Sequence, residues 1–308
     1  MNPAYLIWGA WLIIQCITGY FYILGNGNRR VVWVFPVLSV LFSHLLFLDG
    51  GGLWRMLALI IPLLHAMKVV VAAWHPKGKL PLGRYLVYYW LTVDMNPSIF
   101  HQRKMGLTLD RRLALNGMGH ILLGTLTLAL LRLYAPAEKS GIALYLWSLP
   151  ALIALSAILH FGLLPLSTVF LQWLGFPARR AFRLPFLSLS LSEFWGKRWN
   201  IPFSEMTATA AFKPWSRVVG VKWAGLLAFL LSGLLHEIAI SFSVQQGYGL
   251  PMLYFLIHGL LMDAEKRWFG RKKPGKFWVI AALVLPLPLL FHAHFLREVV
   301  WEIVRLSP

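Results

Sequence analysis

One cysteine, Cys16, in 308 residues leaves no partner for an intrachain disulfide and no thiolate cluster for a metal. Charge is almost as scarce: charged residues make up 13% of the chain, about half the share of a soluble domain. Only 11 residues are acidic against 29 lysines and arginines, so the net charge is +18. The sequence has no Gly-rich phosphate loop and no serine nucleophile elbow. It also lacks an inverted repeat, a low-complexity tract and an interdomain linker, so a single domain over 1–308 is the simplest organisation.

Apolar residues fill the space that charge vacates. The chain is 58% hydrophobic and 15% aromatic, with a mean hydropathy of +0.66. Its apolar runs suit the ~30 Å hydrocarbon layer, which takes about 20 helical residues to cross. The expected fold is therefore all-α and polytopic, an integral multi-pass membrane protein. Eight spans are expected, near 4–24, 31–48, 53–74, 114–133, 142–164, 217–242, 250–264 and 277–296. The first lacks a basic n-region and a small-residue cleavage site, so it reads as a retained helix. Two shorter apolar stretches, 84–93 and 165–175, read as re-entrant or interfacial helices.

The basic residues lie in alternate loops. Arg29 and Arg30 follow span one; Lys77, Lys79, Arg103 and Lys104 follow span three; Arg179, Arg180 and Arg183 follow span five; Lys266, Arg271 and Lys273 follow span seven. The intervening loops, at 49–52, 135–141 and 245–249, are nearly neutral. This alternation puts every basic loop in the cytoplasm and both termini outside, with Arg55, Arg297 and Arg305 as exceptions. Anionic lipid headgroups or a phosphate-bearing substrate explain such charge better than nucleic acid does.

Two polar insertions stand out. In Ser190-Leu-Ser-Glu193 the spacing predicts a capping box, opening a short helix to about Asn200. On that helix Trp195 and Trp199 would be i,i+4 neighbours at the membrane boundary, and Glu193 would pair with Lys197. The second insertion is His236-Glu237, well inside span six. An ionisable group there is costly and points to function. Ser232 is its i−4 neighbour and could orient the imidazole, while Gly233 leaves room for a substrate chain. Glu237 points about 100° away and needs another donor, for which the 192–200 segment is the candidate.

These stretches resemble a known family. Ser188 to Asn200, with Glu193-Phe-Trp-Gly-Lys-Arg-Trp-Asn200 at its end, Lys213-Pro-Trp, and Ser232-Gly-Leu-Leu-His-Glu237 are similar to the membrane-bound O-acyltransferases, wax synthase-like branch. The resemblance covers about 180–270, and Glu193 stands where that pattern often has aspartate. It implies that His236 takes the proton of a lipophilic alcohol, whose oxygen attacks the thioester of acyl-CoA, while Asn200 steadies the carbonyl. Acyl-CoA is then a co-substrate, with no cofactor and no metal. Substrate contacts are expected at Ser190, Glu193, Trp195, Lys197, Arg198, Trp199, Ser232 and Glu237, with Lys197 and Arg198 first for the CoA phosphates. The expected product is a wax ester, with diacylglycerol or a sterol as alternative acceptors and a lipid transporter as the rival class. The membrane would be the plasma membrane in a bacterium and the endoplasmic reticulum in a eukaryote.

Other histidine patterns carry less. His44 and Asp49 lack the second adjacent histidine of one acyltransferase motif, and Ile240 replaces the second ligand of a zincin helix. His292 and His294 project about 200° apart on a helix.

Overall fold

The computed structural model describes residues 3–103, 109–136, 140–270 and 272–306. Lys104, Arg271 and the 137–139 part of the third neutral loop lie outside the described residues. Every regular element among the described residues is helical. In chain order these are α1 (Pro3–Leu24), α2 (Val34–Leu46), α3 (Gly52–Trp74), α4 (Leu82–Trp90), α5 (Arg111–Tyr134), α6 (Gly141–Ser156), α7 (Leu164–Trp173), α8 (Leu191–Glu193), α9 (Ile201–Thr207), α10 (Lys213–Val244), α11 (Leu250–Phe269), α12 (Lys276–Val284), α13 (Leu287–Leu290), α14 (Ala293–Phe295) and α15 (Trp301–Leu306).

Among the described residues, five helical stretches are long and apolar enough to cross a membrane, or six with one bent pair. That is fewer than the eight expected. The second expected span shrinks because Val31–Leu46 is too short. The seventh is a 20-residue helix, α11, whose last turns carry Asp263, Glu265, Lys266 and Arg267. The eighth is broken, with Lys276–Leu290 and Ala293–Leu306 meeting at 73°.

Two expected boundaries disappear. Residues 165–175 are not a separate element, because α6 runs through a π-helical stretch, Ala157–Leu163, into α7. Pro165 closely follows that π-helical stretch, where the ladder changes register and a missing N–H is accommodated inside the continuous run. Likewise α9, a π turn (Ala208–Phe212) and α10 form one 44-residue run, Ile201–Val244. At 1.5 Å per residue a straight helix of that length would be about 66 Å, twice the hydrocarbon thickness. Gly220, at φ 79° and ψ 164°, breaks it, which glycine does without a Cβ clash.

The 84–93 stretch forms the short helix α4. Its Tyr85 and Tyr89 hydroxyls donate to the carbonyls of Cys16 and Leu12, in the middle of α1, at 3.4 and 3.2 Å. Backbone ending at such depth must find partners inside the protein. Lys68, fully buried on α3, supplies them: its Nζ donates to Tyr88 O at 2.8 Å, Tyr89 O at 3.1 Å and also Thr92 O. A lysine at a helix C-terminus also meets the negative end of the dipole.

The basic loops gather at one end. Lys79 reaches the carbonyl of Leu24 at 3.1 Å, Arg103 that of Leu174 at 2.9 Å, and Arg180 pairs with Asp110 at 2.6 Å. Arg55 sits at the other end, 3.8 Å from Glu298, which accounts for one exception to the charge alternation. Helices α3 and α10 are antiparallel: Gly52 lies against Val244, and His75 lies within electrostatic range of Lys213. Helix α11 follows α10 in reverse, from Glu237–Gly249 at one end to Lys222–Asp263 at the other.

Candidate active site

Ser190 caps α8 as its spacing predicts, accepting the Glu193 N–H at 3.1 Å. The reciprocal bond is shifted by one residue, since Glu193 Oε2 accepts from Leu189 N at 3.3 Å. The expected α-helix to Asn200 does not form. After α8 the chain makes a π turn, Phe194–Arg198, which brings i and i+5 together in place of i and i+4. Glu193 therefore pairs with Arg198 at 2.7 Å, not with Lys197, and takes Lys273 as a second partner at 3.1 Å. The Arg198 hydrogen bond, with Lys273 beside it, holds the Glu193 carboxyl down at about 2. Arg198 also donates to the Arg183 and Leu184 carbonyls, so its guanidinium is committed to the turn. Lys197 is exposed.

The turn sends its two tryptophans inward, contrary to the boundary anchors expected. Trp199 stacks on Phe194 at 5.3 Å and meets His160 at 5.5 Å. Trp195 packs against Phe229 and Phe255, and its indole N–H donates to His258 Nδ1 at 3.3 Å. Their i,i+4 adjacency is lost with the α-helical register.

Past Trp199 the backbone is extended and Asn200 adopts the left-handed conformation, φ 39° and ψ 64°, which asparagine tolerates better than most residues. There it is the N-cap of α9, with Oδ1 accepting from Phe203 N at 3.3 Å. That bond fixes the amide and leaves Nδ2, a pure donor, facing the other way. The ring of Phe203 lies 5.8 Å from that of His236. Asn200 and His236 are thus joined through a single residue.

On α10 the carbonyl of Ser232 lies 2.7 Å from His236 Nδ1. A carbonyl only accepts, so Nδ1 carries the proton and the neutral ring offers its lone pair at Nε2. The Ser232 hydroxyl is turned away, donating to Ala228 O at 3.0 Å. The backbone of Ser232, not its side chain, orients the imidazole. The other ring face rests on Phe255 at 4.3 Å. These groups give His236 a fixed tautomer and aromatic walls.

A family model for membrane bound O-acyl transferases matches residues 178–257, the segment that holds both Asn200 and His236. The probable long-chain-alcohol O-fatty-acyltransferase 9 of Arabidopsis thaliana is 22% identical over 92% of this chain and 88% of its own length. The long-chain-alcohol O-fatty-acyltransferase of Simmondsia chinensis is 32% identical over 30% of this chain and 29% of its own. The acyl-CoA–sterol O-acyltransferase 1 of Arabidopsis thaliana is 29% identical over 27% of each. Over residues 178–257 this chain resembles the membrane-bound O-acyltransferases.

Several residues expected to touch substrate have structural partners. Glu237, buried at 6% exposure, accepts from Gly249 N at 2.7 Å and Met252 N at 3.3 Å, capping α11. Its donor is that helix end and not the 192–200 segment. Gly233 serves close packing: a Cβ there would stand 3.0 Å from Met252 Cα, so it leaves no room for a substrate chain.

Three functional candidates escaped the sequence reading. Glu265 accepts from Leu191 N at 2.7 Å, from the Ser192 hydroxyl at 3.2 Å and from the Trp278 indole at 2.9 Å, clamping the signature turn to α11. His258 is fully buried, and with Nδ1 taken by Trp195 its Nε2 has no hydrogen-bond partner among the described residues. His160 sits in the π stretch beside Trp199, 3.0 Å from the Ser156 hydroxyl. The rule that singles out His236, an ionisable group in an apolar run, applies equally to His258 and His160.

Proposed function

We propose that this protein esterifies a long-chain or otherwise lipophilic alcohol with the acyl group of acyl-CoA. The observation that carries the reading is the Nδ1–Ser232 bond, which presents Nε2 of His236 as a base in the segment the family model covers. In this reading Nε2 takes the hydroxyl proton as the alcohol oxygen attacks the thioester carbon. The Nδ2 amide of Asn200 donates to the carbonyl oxygen as negative charge gathers on it. The C–S bond then breaks, and the departing thiolate recovers the proton from His236. Ester and free CoA leave. Both the alcohol and the acyl chain are apolar, and the aromatic walls of Phe203 and Phe255 suit them better than water would.

The names of the Arabidopsis and Simmondsia relatives favour a fatty alcohol as acceptor. A sterol is the second reading, supported by the shorter match to the sterol acyltransferase. Purified protein in lipid nanodiscs, given labelled acyl-CoA and a panel of fatty alcohol, diacylglycerol and sterol, decides between them. Ester from the fatty alcohol alone supports wax synthesis. Sterol ester alone supports the second reading, and no ester from folded protein refutes both.

A further inference from the structure

A cavity of about 480 Å³ opens at the basic end of the molecule, between the C-termini of α1 and α3. Its lining includes Asn26, Arg29, His75, Lys77, Lys79 and His101, and no lining residue is acidic. Local hydrogen bonds shape the wall. Lys77 N donates to His75 Nδ1 at 3.0 Å, and His101 Nε2 donates to Lys77 O at 2.9 Å. Lys213, at the start of α10, is close enough to act on His75. Burial first, then Lys213, His101 and Lys77, push the His75 imidazole below its ordinary range. Cations crowded with no carboxylate among them repel one another, and a bound anion relieves that repulsion.

The cavity stands apart from the acyl-transfer centre. Helices α3 and α10 run antiparallel, with Gly52 against Val244. His236, eight residues before Val244, is therefore level with about residue 60 of α3, whereas the cavity begins at Ala72. A dozen residues at 1.5 Å each put the two roughly 18 Å apart along the bundle. Substitutions in the cavity leave the residues around His236 in place.

We propose that this cavity is a phosphate-binding site, in which Arg29, Lys77 and Lys79 hold the phosphate groups of a nucleotide or of an anionic lipid headgroup. Its size admits more than a lone phosphate, and the lysines and arginine are the side chains that recognise such groups. A nucleotide occupant rests on the acyl-CoA reading above, since the phosphates of that donor lie an arm's length from its thioester. A lipid occupant does not rest on it.

The test measures binding, not turnover, in full-length protein carrying His236→Ala, so that failure of this site and failure of the acyl-transfer reading remain separate. Adenosine 3′,5′-bisphosphate is titrated calorimetrically into protein in phosphatidylcholine nanodiscs. Retention of phosphatidylglycerol is scored by native mass spectrometry. Replacing Arg29, Lys77 and Lys79 together by glutamine is expected to weaken one of the two by about tenfold or more. Helical circular dichroism and melting temperature should be unchanged, because all three side chains are exposed. Loss of the bisphosphate identifies a nucleotide site and loss of phosphatidylglycerol a lipid site. Equal binding of both probes by the folded triple variant, or binding of neither by its parent, overturns the proposal.

Discussion

His236 donates its Nδ1 proton to the carbonyl of Ser232, one turn below on the same helix, at 2.7 Å. A backbone acceptor sets the tautomer without depending on any neighbouring side chain. Ser232→Ala is therefore expected to keep acyl transfer within about threefold of the unmodified protein, since the lost hydroxyl bonds only Ala228 O. A hundredfold loss of turnover in folded Ser232→Ala would assign the hydroxyl a direct part.

The proposed mechanism gives Asn200, besides its capping bond, a second job that substitution can separate. Asn200→Asp keeps the cap on Phe203 N and tolerates the left-handed backbone, so it should fold and melt like the parent. It removes the Nδ2 donor and adds negative charge where the oxyanion forms, so turnover should fall by about 100-fold or more. Asn200→Ala should lose both, with stability down by about 1–2 kcal/mol. Esterification rates and thermal unfolding, measured side by side, check the split.

The Glu193–Arg198 pair makes the signature turn sensitive to acid. Because the folded carboxyl is held at about 2, below its ordinary 4.5, its contribution is whole above pH 4.5. It is lost as pH falls from there towards 2. The melting-temperature difference between the parent and Glu193→Gln should be constant from pH 7 to 5 and close over that lower window. Arg198→Lys should resemble Glu193→Gln at neutral pH, because an ammonium cannot hold Glu193 and two carbonyls in one plane.

Glu237 is expected to matter for folding more than for chemistry. Glu237→Ala removes the acceptor of the part-buried N–H groups of Gly249 and Met252 at the start of α11, costing about 1–3 kcal/mol. Glu237→Gln keeps one acceptor oxygen and should recover about half of that. Activity per folded molecule should be near the parent's in Glu237→Gln, as measured by turnover after correction for the melting curve.

Much of this site could be read from residue order. Ser190 as a cap and the basic end of the bundle follow from local patterns with fixed geometry, whereas the pairing of Asn200 with His236 rests on the family resemblance. The π turns could not be read this way, because no residue type marks the change from i+4 to i+5; that one step reassigned the partner of Glu193 and turned both tryptophans inward. Pairings across the fold were also hidden. Glu237 caps a helix 12 residues further on, and His258 gains its role from Trp195, 63 residues away. The span count erred where apolar length alone was used, since Val34–Leu46 is apolar but short.

Acyl transfer by His236→Ala is the most direct test of the central claim. Turnover of labelled acyl-CoA with a fatty alcohol should fall by 10²–10⁴-fold, the usual range for a lost general base. Donor binding and melting temperature should be retained. Near-parental ester formation by folded His236→Ala would contradict the account.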